Sequence, residues 1–336
     1  MRPWLVRLSV ILVVLGLSLG VVEFYLRIYD PIEFRAPQAR IQGDLWREMI
    51  HVPSPIEGLD YELGSHRKGY SQGANIETNG LGMRELEVQD KTPRSFRIAA
   101  VGDSFTFGFG VDMIDTYVAA LGRLLRADRE IRVGRRFETL NFGVAGYSVQ
   151  DEVKVLEHKV LAVDPDLIIL GYVLNDPEPD PIQPVHSYYA PVEWWQHLHL
   201  GRLIAYSAWR AKIEQYGGGD YYEYLHREPR AWRTVVTAFD QIGELSRKSG
   251  VPVLLVVFPG GQPVPWEEYP YRELHDKVIA QGRKAGLFTL DLLPAFAEES
   301  PMDTRVSADD DHPSIRGHKI TARAIQARLR QGDILN

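Results

Sequence analysis

The chain has 336 residues, of which 45% are hydrophobic and 25% charged, proportions that exclude a fibrous or intrinsically disordered protein and allow a full core. Lys and Arg number 38 against 45 Asp and Glu, leaving a formal charge of −7 with no basic stretch interleaved with aromatics, which argues against a nucleic-acid partner. Cysteine is absent, which excludes a disulfide, a thiolate nucleophile, a lipidated cysteine and a cysteine-ligated metal.

The first element is an uncharged apolar run from Leu8 to Val22, preceded by Arg2 and Arg7 and extended by Trp4, Leu5 and Val6 before it and Phe24, Tyr25 and Leu26 after it. With these flanks the run approaches the ~20 residues that a bilayer-spanning helix needs, and no small-x-small cleavage site follows it. It reads as an uncleaved signal anchor over residues 1–30. The basic flank keeps the N-terminus cytoplasmic and puts the remainder on the periplasmic or extracellular side.

Residues 31–94 carry scattered Pro and Gly and little helical periodicity, so they read as an extended membrane-proximal segment with short strands. From Phe96 onward, short apolar runs alternate with amphipathic stretches. Strands are expected at Phe96–Val101, Glu138–Phe142, Leu167–Tyr172, Val253–Phe258 and Phe288–Leu292. Helices are expected near Thr116–Ala127, Val149–Val163, Trp232–Ser249, Glu273–Ala285 and Arg316–Arg330. Runs such as Leu167-Ile168-Ile169-Leu170 lack polar alternation, which marks strands covered on both faces and hence a five-stranded, mainly parallel sheet between helices. Residues 177–230 interrupt the alternation with prolines and then aromatics, including Trp194, Trp195, Trp209, Tyr221, Tyr222 and Tyr224. They read as an insertion in a domain covering 95–336, its aromatics forming either a satellite core or a binding wall.

Chemistry concentrates at strand ends. In Val101-Gly102-Asp103-Ser104 a serine follows an apolar strand immediately, where side chains of an open parallel sheet enter a ligand site. A hydroxyl needs a base within hydrogen-bond reach, itself held by a third group. The Asp309-Asp310-Asp311-His312 loop before the last helix supplies an imidazole with an adjacent carboxylate. Gly143 and Gly146 after the second strand and Asn175 after the third offer backbone and amide donors for a developing oxyanion.

In order and spacing these four blocks resemble the SGNH (GDSL) hydrolase superfamily. The resemblance spans about residues 96–331. It matches Gly102-Asp103-Ser104, Gly146, Asn175 and the D-x-x-H pair Asp309 and His312, although Val173 stands where the third block usually has glycine. It implies a flavodoxin-like three-layer α/β/α fold behind the N-terminal transmembrane helix, and metal-free ester chemistry with no cofactor. Ser104 is then the nucleophile, His312 the base, Asp309 its partner, and Gly146 and Asn175 the oxyanion donors with the Ser104 N–H. The expected activity is hydrolysis of an acyl ester on a small-molecule, lipid or glycan substrate outside the cytoplasm; an O-acyltransferase for an exported polysaccharide and a non-catalytic binding module are the alternatives.

Overall fold

The computed structural model describes residues 3–29, 50–71, 73–131, 134–177, 194–261 and 263–335. Residues 31–49, and the part of the insertion that holds Pro179, Pro181, Pro184, His186, Tyr188, Tyr189 and Pro191, lie outside them.

Helix α1 (Pro3–Tyr29) carries the N-terminal apolar run and buries only Leu26. Among the described residues it is the one helix long and apolar enough to cross a membrane. Two small hairpins follow, pairing β1 (His51–Pro53) with β2 (Tyr61–Leu63) and β3 (Lys68–Ser71) with β4 (Ala74–Glu77).

The central sheet contains β5 (Ser95–Val101), β6 (Arg136–Asn141), β7 (Leu167–Tyr172), β8 (Val253–Val257) and β9 (Phe288–Asp291). Their spatial order is β6-β5-β7-β8-β9 and every pairing is parallel. In chain order this is the 2-1-3-4-5 arrangement of flavodoxin-like folds, whose topological switch point falls between β5 and β7. The strand residues alternate between two cores. Ala99, Val101, Ile168, Leu170, Val253 and Leu255 face one, with α4 (Val149–Val155), α7 (Pro229–Ser249) and α8 (Arg272–Lys284). Ile98, Ala100, Leu167, Ile169, Leu254 and Val256 face the other, with α3 (Tyr117–Ala127) and α10 (Ile315–Leu329). Continuous apolar runs are what this two-sided covering requires.

The described part of the insertion is helical: α5 (His199–Gly217) and α6 (Tyr221–Arg227) lead into α7. Ile213, Tyr224, Leu225 and Ala231 form a satellite core with Trp209, Tyr216 and Tyr221 packed on it. Two further short helices, α2 (Ser104–Phe107) and α9 (Leu293–Phe296), and a hairpin of β10 (Arg305–Ser307) with β11 (Asp310–Pro313) complete the chain.

Far from hanging free as a stalk, residues 50–84 join the main core through Ile50, Leu59, Tyr61, Leu63, Ile76 and Met83. Arg84, which follows the second hairpin, is 1% exposed, and its guanidinium donates to the carbonyls of Asn75, Phe107, Gly108 and Val111 while lying 4.8 Å over the Phe107 ring. Burial lowers its pKa to about 10 against the opposing charge of Asp112, so it stays charged at neutral pH, surrounded by carbonyl dipoles. Arg84→Met removes those donors and leaves several buried carbonyls unpaired. Unfolding by urea is expected to show a loss of about 3 kcal/mol, against less than about 0.5 kcal/mol for an exposed control such as Arg233→Met.

Candidate active site

The site lies along the carboxyl edge of the sheet, one loop after another. The loop after β5 turns directly into α2, where Asp103 caps the helix by accepting the Phe105 N–H at 2.8 Å. A carboxylate there satisfies one of the orphan N–H groups of the first turn and fixes the direction in which Ser104 points. Ser104 Oγ lies 2.8 Å from His312 Nε2 and 3.1 Å from Asp103 Oδ2.

His312 arrives from the other end of the chain, on β11. Its Nδ1 lies 2.5 Å from Asp310 Oδ1, and the same carboxylate oxygen also accepts the His312 backbone N–H at 3.1 Å. This corrects the expectation from the D-x-x-H spacing, in which Asp309 held the imidazole. The reason is the strand: side chains at i and i+2 share a face, so extended backbone from Asp310 puts Asp310 beside His312, while Asp309 falls just before the strand. Asp309 lies instead on the wall of a neighbouring cavity, with Asp311. Asp310, Asp311 and His312 also bring three possible metal-ligand atoms within 4.8 Å of one another, but both ring nitrogens of His312 already face protein partners.

Burial works against a charged imidazole, yet the hydrogen bond and charge of Asp310, with Asp311 and Asp103 behind it, outweigh that cost and raise the His312 pKa above its usual value. Asp310 responds in kind: burial would raise it, but its bonds to His312 hold it below the ordinary carboxylate range. Two arrangements of protons follow. With His312 neutral and its Nδ1–H given to Asp310, Nε2 accepts the Ser104 proton. With His312 charged, Nε2–H donates to Oγ and the serine proton turns to Asp103, so the hydroxyl has no base.

The oxyanion candidates sit on the next two loops. Gly146 has φ 87°, a left-handed conformation that a side chain would strain, in a turn braced by a reciprocal pair: Tyr61 Oη donates to Ala145 O at 2.9 Å and Tyr147 Oη donates to Tyr61 O at 2.6 Å. Gly143 is needed for close approach, since a Cβ there would lie 2.2 Å from Phe107 N. The Asn175 side chain follows β7 and hydrogen-bonds Asp103, which places it across the switch point from Ser104. Ser104, Gly146 and Asn175 therefore converge on the same sheet edge with His312, and Asp309 does not join them.

Several residues of the site carried no readable signal in the sequence. Phe105 and Phe109 flank the imidazole, their ring centroids 5.1 and 4.7 Å from its own. Gly261 N–H donates to Asp311 Oδ2 at 2.6 Å, and Arg305 donates to Gly261 O at 2.9 Å, so the loop after β8 is tied to the β10–β11 hairpin. Beside these groups opens a cavity of about 460 Å³ lined by Tyr221, Tyr222 and Tyr271 together with Asp220, Arg305 and Asp309.

The model of the GDSL-like Lipase/Acylhydrolase family matches residues 100–320, which is most of the chain and includes all of these loops. The chain belongs to that family. This GDSL-like acylhydrolase is accordingly an enzyme acting on ester bonds, of the SGNH type. Among solved structures it is similar to LAE5, a hydrolase from the metagenome of Lake Arreo, Spain, at 18% identity and a TM-score of 0.45, covering 72% of this chain and 96% of that one. A variant of the acetyl xylan esterase Axe2 from Geobacillus stearothermophilus is 19% identical, with a TM-score of 0.45 and coverage of 70% and 94%. TesA is 16% identical, with a TM-score of 0.43 and coverage of 70% and 98%. No curated protein matches this chain.

The two aspartates are separable by experiment. Asp310→Asn is expected to lower kcat/KM for a small nitrophenyl ester by about 10³- to 10⁴-fold, and Asp309→Asn to leave it within about threefold. The base must be neutral to act, so kcat/KM should rise with pH on a limb whose midpoint lies above 6.5, the ordinary histidine value. In Asp310→Asn the residual activity should show that midpoint moved down, because the contact that raises it is gone.

Proposed function

We propose that this acylhydrolase is a serine esterase that removes acyl groups from a glycan or glycolipid outside the cytoplasm. The observation that carries the reading is the relay Asp310–His312–Ser104, with separations of 2.5 and 2.8 Å, opening beside a tyrosine-walled cavity. Ser104 Oγ attacks the ester carbonyl as its proton passes to His312 Nε2. Asp310 fixes the Nδ1–H tautomer and stabilises the imidazolium that forms. The tetrahedral oxyanion takes hydrogen bonds from the N–H groups of Ser104 and Gly146 and from the Asn175 amide, a set that strengthens as charge develops on oxygen. His312 then returns its proton to the departing alkoxide, water enters against the same base, and the carboxylic acid leaves.

The glycan part of the reading rests on the cavity. Aromatic faces pack against the apolar faces of sugar rings, while the carboxylates of Asp220, Asp309 and Asp311 accept from hydroxyls. The extracytoplasmic part rests on α1 and the basic residues before its uncharged run, Arg2 and Arg7.

Incubation with a fluorophosphonate probe should label Ser104, identified by mass spectrometry of the modified peptide. Ser104→Ala should lose both the label and at least about 10³-fold of esterase activity on an acetylated oligosaccharide. Persistent labelling, or turnover equal to that of the unsubstituted chain, would remove the mechanism.

A further inference from the structure

The insertion does not hang from the sheet alone; its first described residues are bolted to the end of α1. Glu23 Oε1 accepts the His199 N–H at 3.0 Å and Glu23 Oε2 the Leu200 N–H at 2.9 Å, so a side chain of α1 caps the N-terminus of α5. Arg27 closes the joint, with Nε on Glu23 Oε1 at 2.8 Å and Nη2 donating to His197 O at 3.3 Å. A carboxylate on the first free N–H groups of a helix also answers the positive end of its dipole.

Register along α1 gives this joint a depth. From Trp4 to Val22, at 1.5 Å per residue, the segment is about 28 Å long, close to the ~30 Å hydrocarbon thickness of a bilayer; its one charged residue is Arg7, one turn in from the cytoplasmic end, where a long side chain snorkels to the interface. Glu23 then emerges at the boundary, followed by Tyr25 and Tyr29, whose rings stack 5.6 Å apart at the level where aromatic residues collect. Whatever Glu23 holds lies at that level too. The surface it holds there is apolar and uncovered: Trp194 is 74% exposed, Ile204 62% and Leu198 39%. Along α5, Leu200, Ile204, Ala208 and Ala211 recur at helical spacing on one stripe, with exposed Arg210 and Lys212 at its edges and buried Ile213 opposite. An apolar stripe bordered by cations suits the headgroup layer of an anionic membrane.

We propose that α5 and the turn before it, Trp194 to His197, lie in the interfacial layer of the membrane that α1 spans, docked to the anchor by Glu23. This rests on the anchor reading above. The far end of the same helix pair carries Tyr221 and Tyr222, which wall the cavity beside the Ser104–His312 pair, so the docked insertion sets the height at which Ser104 meets its substrate and suits esters presented close to the bilayer.

The absence of cysteine allows a clean test on the full-length chain in vesicles of phosphatidylcholine and phosphatidylglycerol. Single-cysteine variants Trp194→Cys, Ile204→Cys and, at the opposite edge of the sheet, Lys248→Cys are labelled with an environment-sensitive fluorophore. Lipids spin-labelled just below the headgroup should quench the probes at 194 and 204 and leave the one at 248 untouched. Adding Glu23→Ala should abolish quenching at 204 while alkaline washing still leaves the chain in the vesicle pellet. Retention in the pellet with unquenched probes at 194 and 204 overturns the proposal and spares the anchor. Quenching that survives Glu23→Ala overturns the docking role of Glu23. A blue shift that follows protein concentration without lipid quenching assigns the stripe to a second copy of the chain and likewise overturns it. Release of the chain by alkaline washing removes the anchor and the proposal together.

Discussion

One contact sets the terms for this molecule: a hydroxyl and an imidazole 208 residues apart in sequence meet at 2.8 Å. Neither residue reaches the other by local folding, so the contact is only as good as the framework between β5 and β11. The parallel sheet supplies the coarse placement, because all five strands deliver their following loops to one edge. Finer placement comes from α10, which directly follows the β11 strand that carries His312. His318 on that helix accepts the Tyr117 backbone N–H at 3.1 Å, and Tyr117 Oη lies 3.1 Å from Thr106 Oγ1 in the nucleophile helix. Burial pushes His318 down to about 3, which keeps its Nδ1 free of a proton and able to accept that bond. His312 and Ser104 are therefore referenced to the same two side chains, His318 and Tyr117.

The electrostatic setting is unusual in its acidity. Asp103 is buried within the turn that carries Ser104, where burial raises its pKa against the lowering pull of its bonds to Phe105, Ser104 and Asn175 and of the His312 charge; Asp176 and Glu152 are fully buried nearby, each shifted upward first by burial and then by neighbouring carboxylate charge, that of Asp103 included. Asp176 and Glu152 therefore stay protonated where ordinary carboxyls ionise. The acids that remain charged are those with partners, Asp310 on His312 foremost. Negative charge is thus concentrated on the side of the imidazole where it favours the charged ring, while Asp176 and Glu152 stay neutral behind Asp103.

Much of this was legible in the residues. Apolar runs covered on both faces could only be a buried parallel sheet, and the strands fall within two residues of their expected ends, as at Leu167–Tyr172. Ser104, Gly146 and Asn175 stand out in the sequence because each follows a sheet strand, and His312 because it lies just before the last helix, which are positions in a pattern. Asp309 against Asp310 was not readable in that way: the choice depends on whether the backbone is already extended at residue 310, and three consecutive aspartates give propensity no purchase. The role of residues 50–84 was hidden for a related reason. Tyr61 and Arg84 act on loops far along the chain, through backbone carbonyls that carry no side-chain signature.

The same long-range logic joins the two ends of the enzyme that composition alone would separate. An apolar N-terminal helix on a hydrolase domain reads as a tether, and a tether leaves a catalytic domain free to sample any orientation. Glu23 bound to the N-terminus of α5 changes that expectation, because a bidentate carboxylate on two backbone donors resists rotation as well as separation. From α5 the connection continues through α6 to Tyr222, whose hydroxyl lies 3.5 Å from Asp311, the neighbour of His312. Orientation of α1 and shape of the cavity are then linked by a short run of packed helices, so an insertion that interrupts the α/β alternation supplies both a wall of the cavity and a reference to α1.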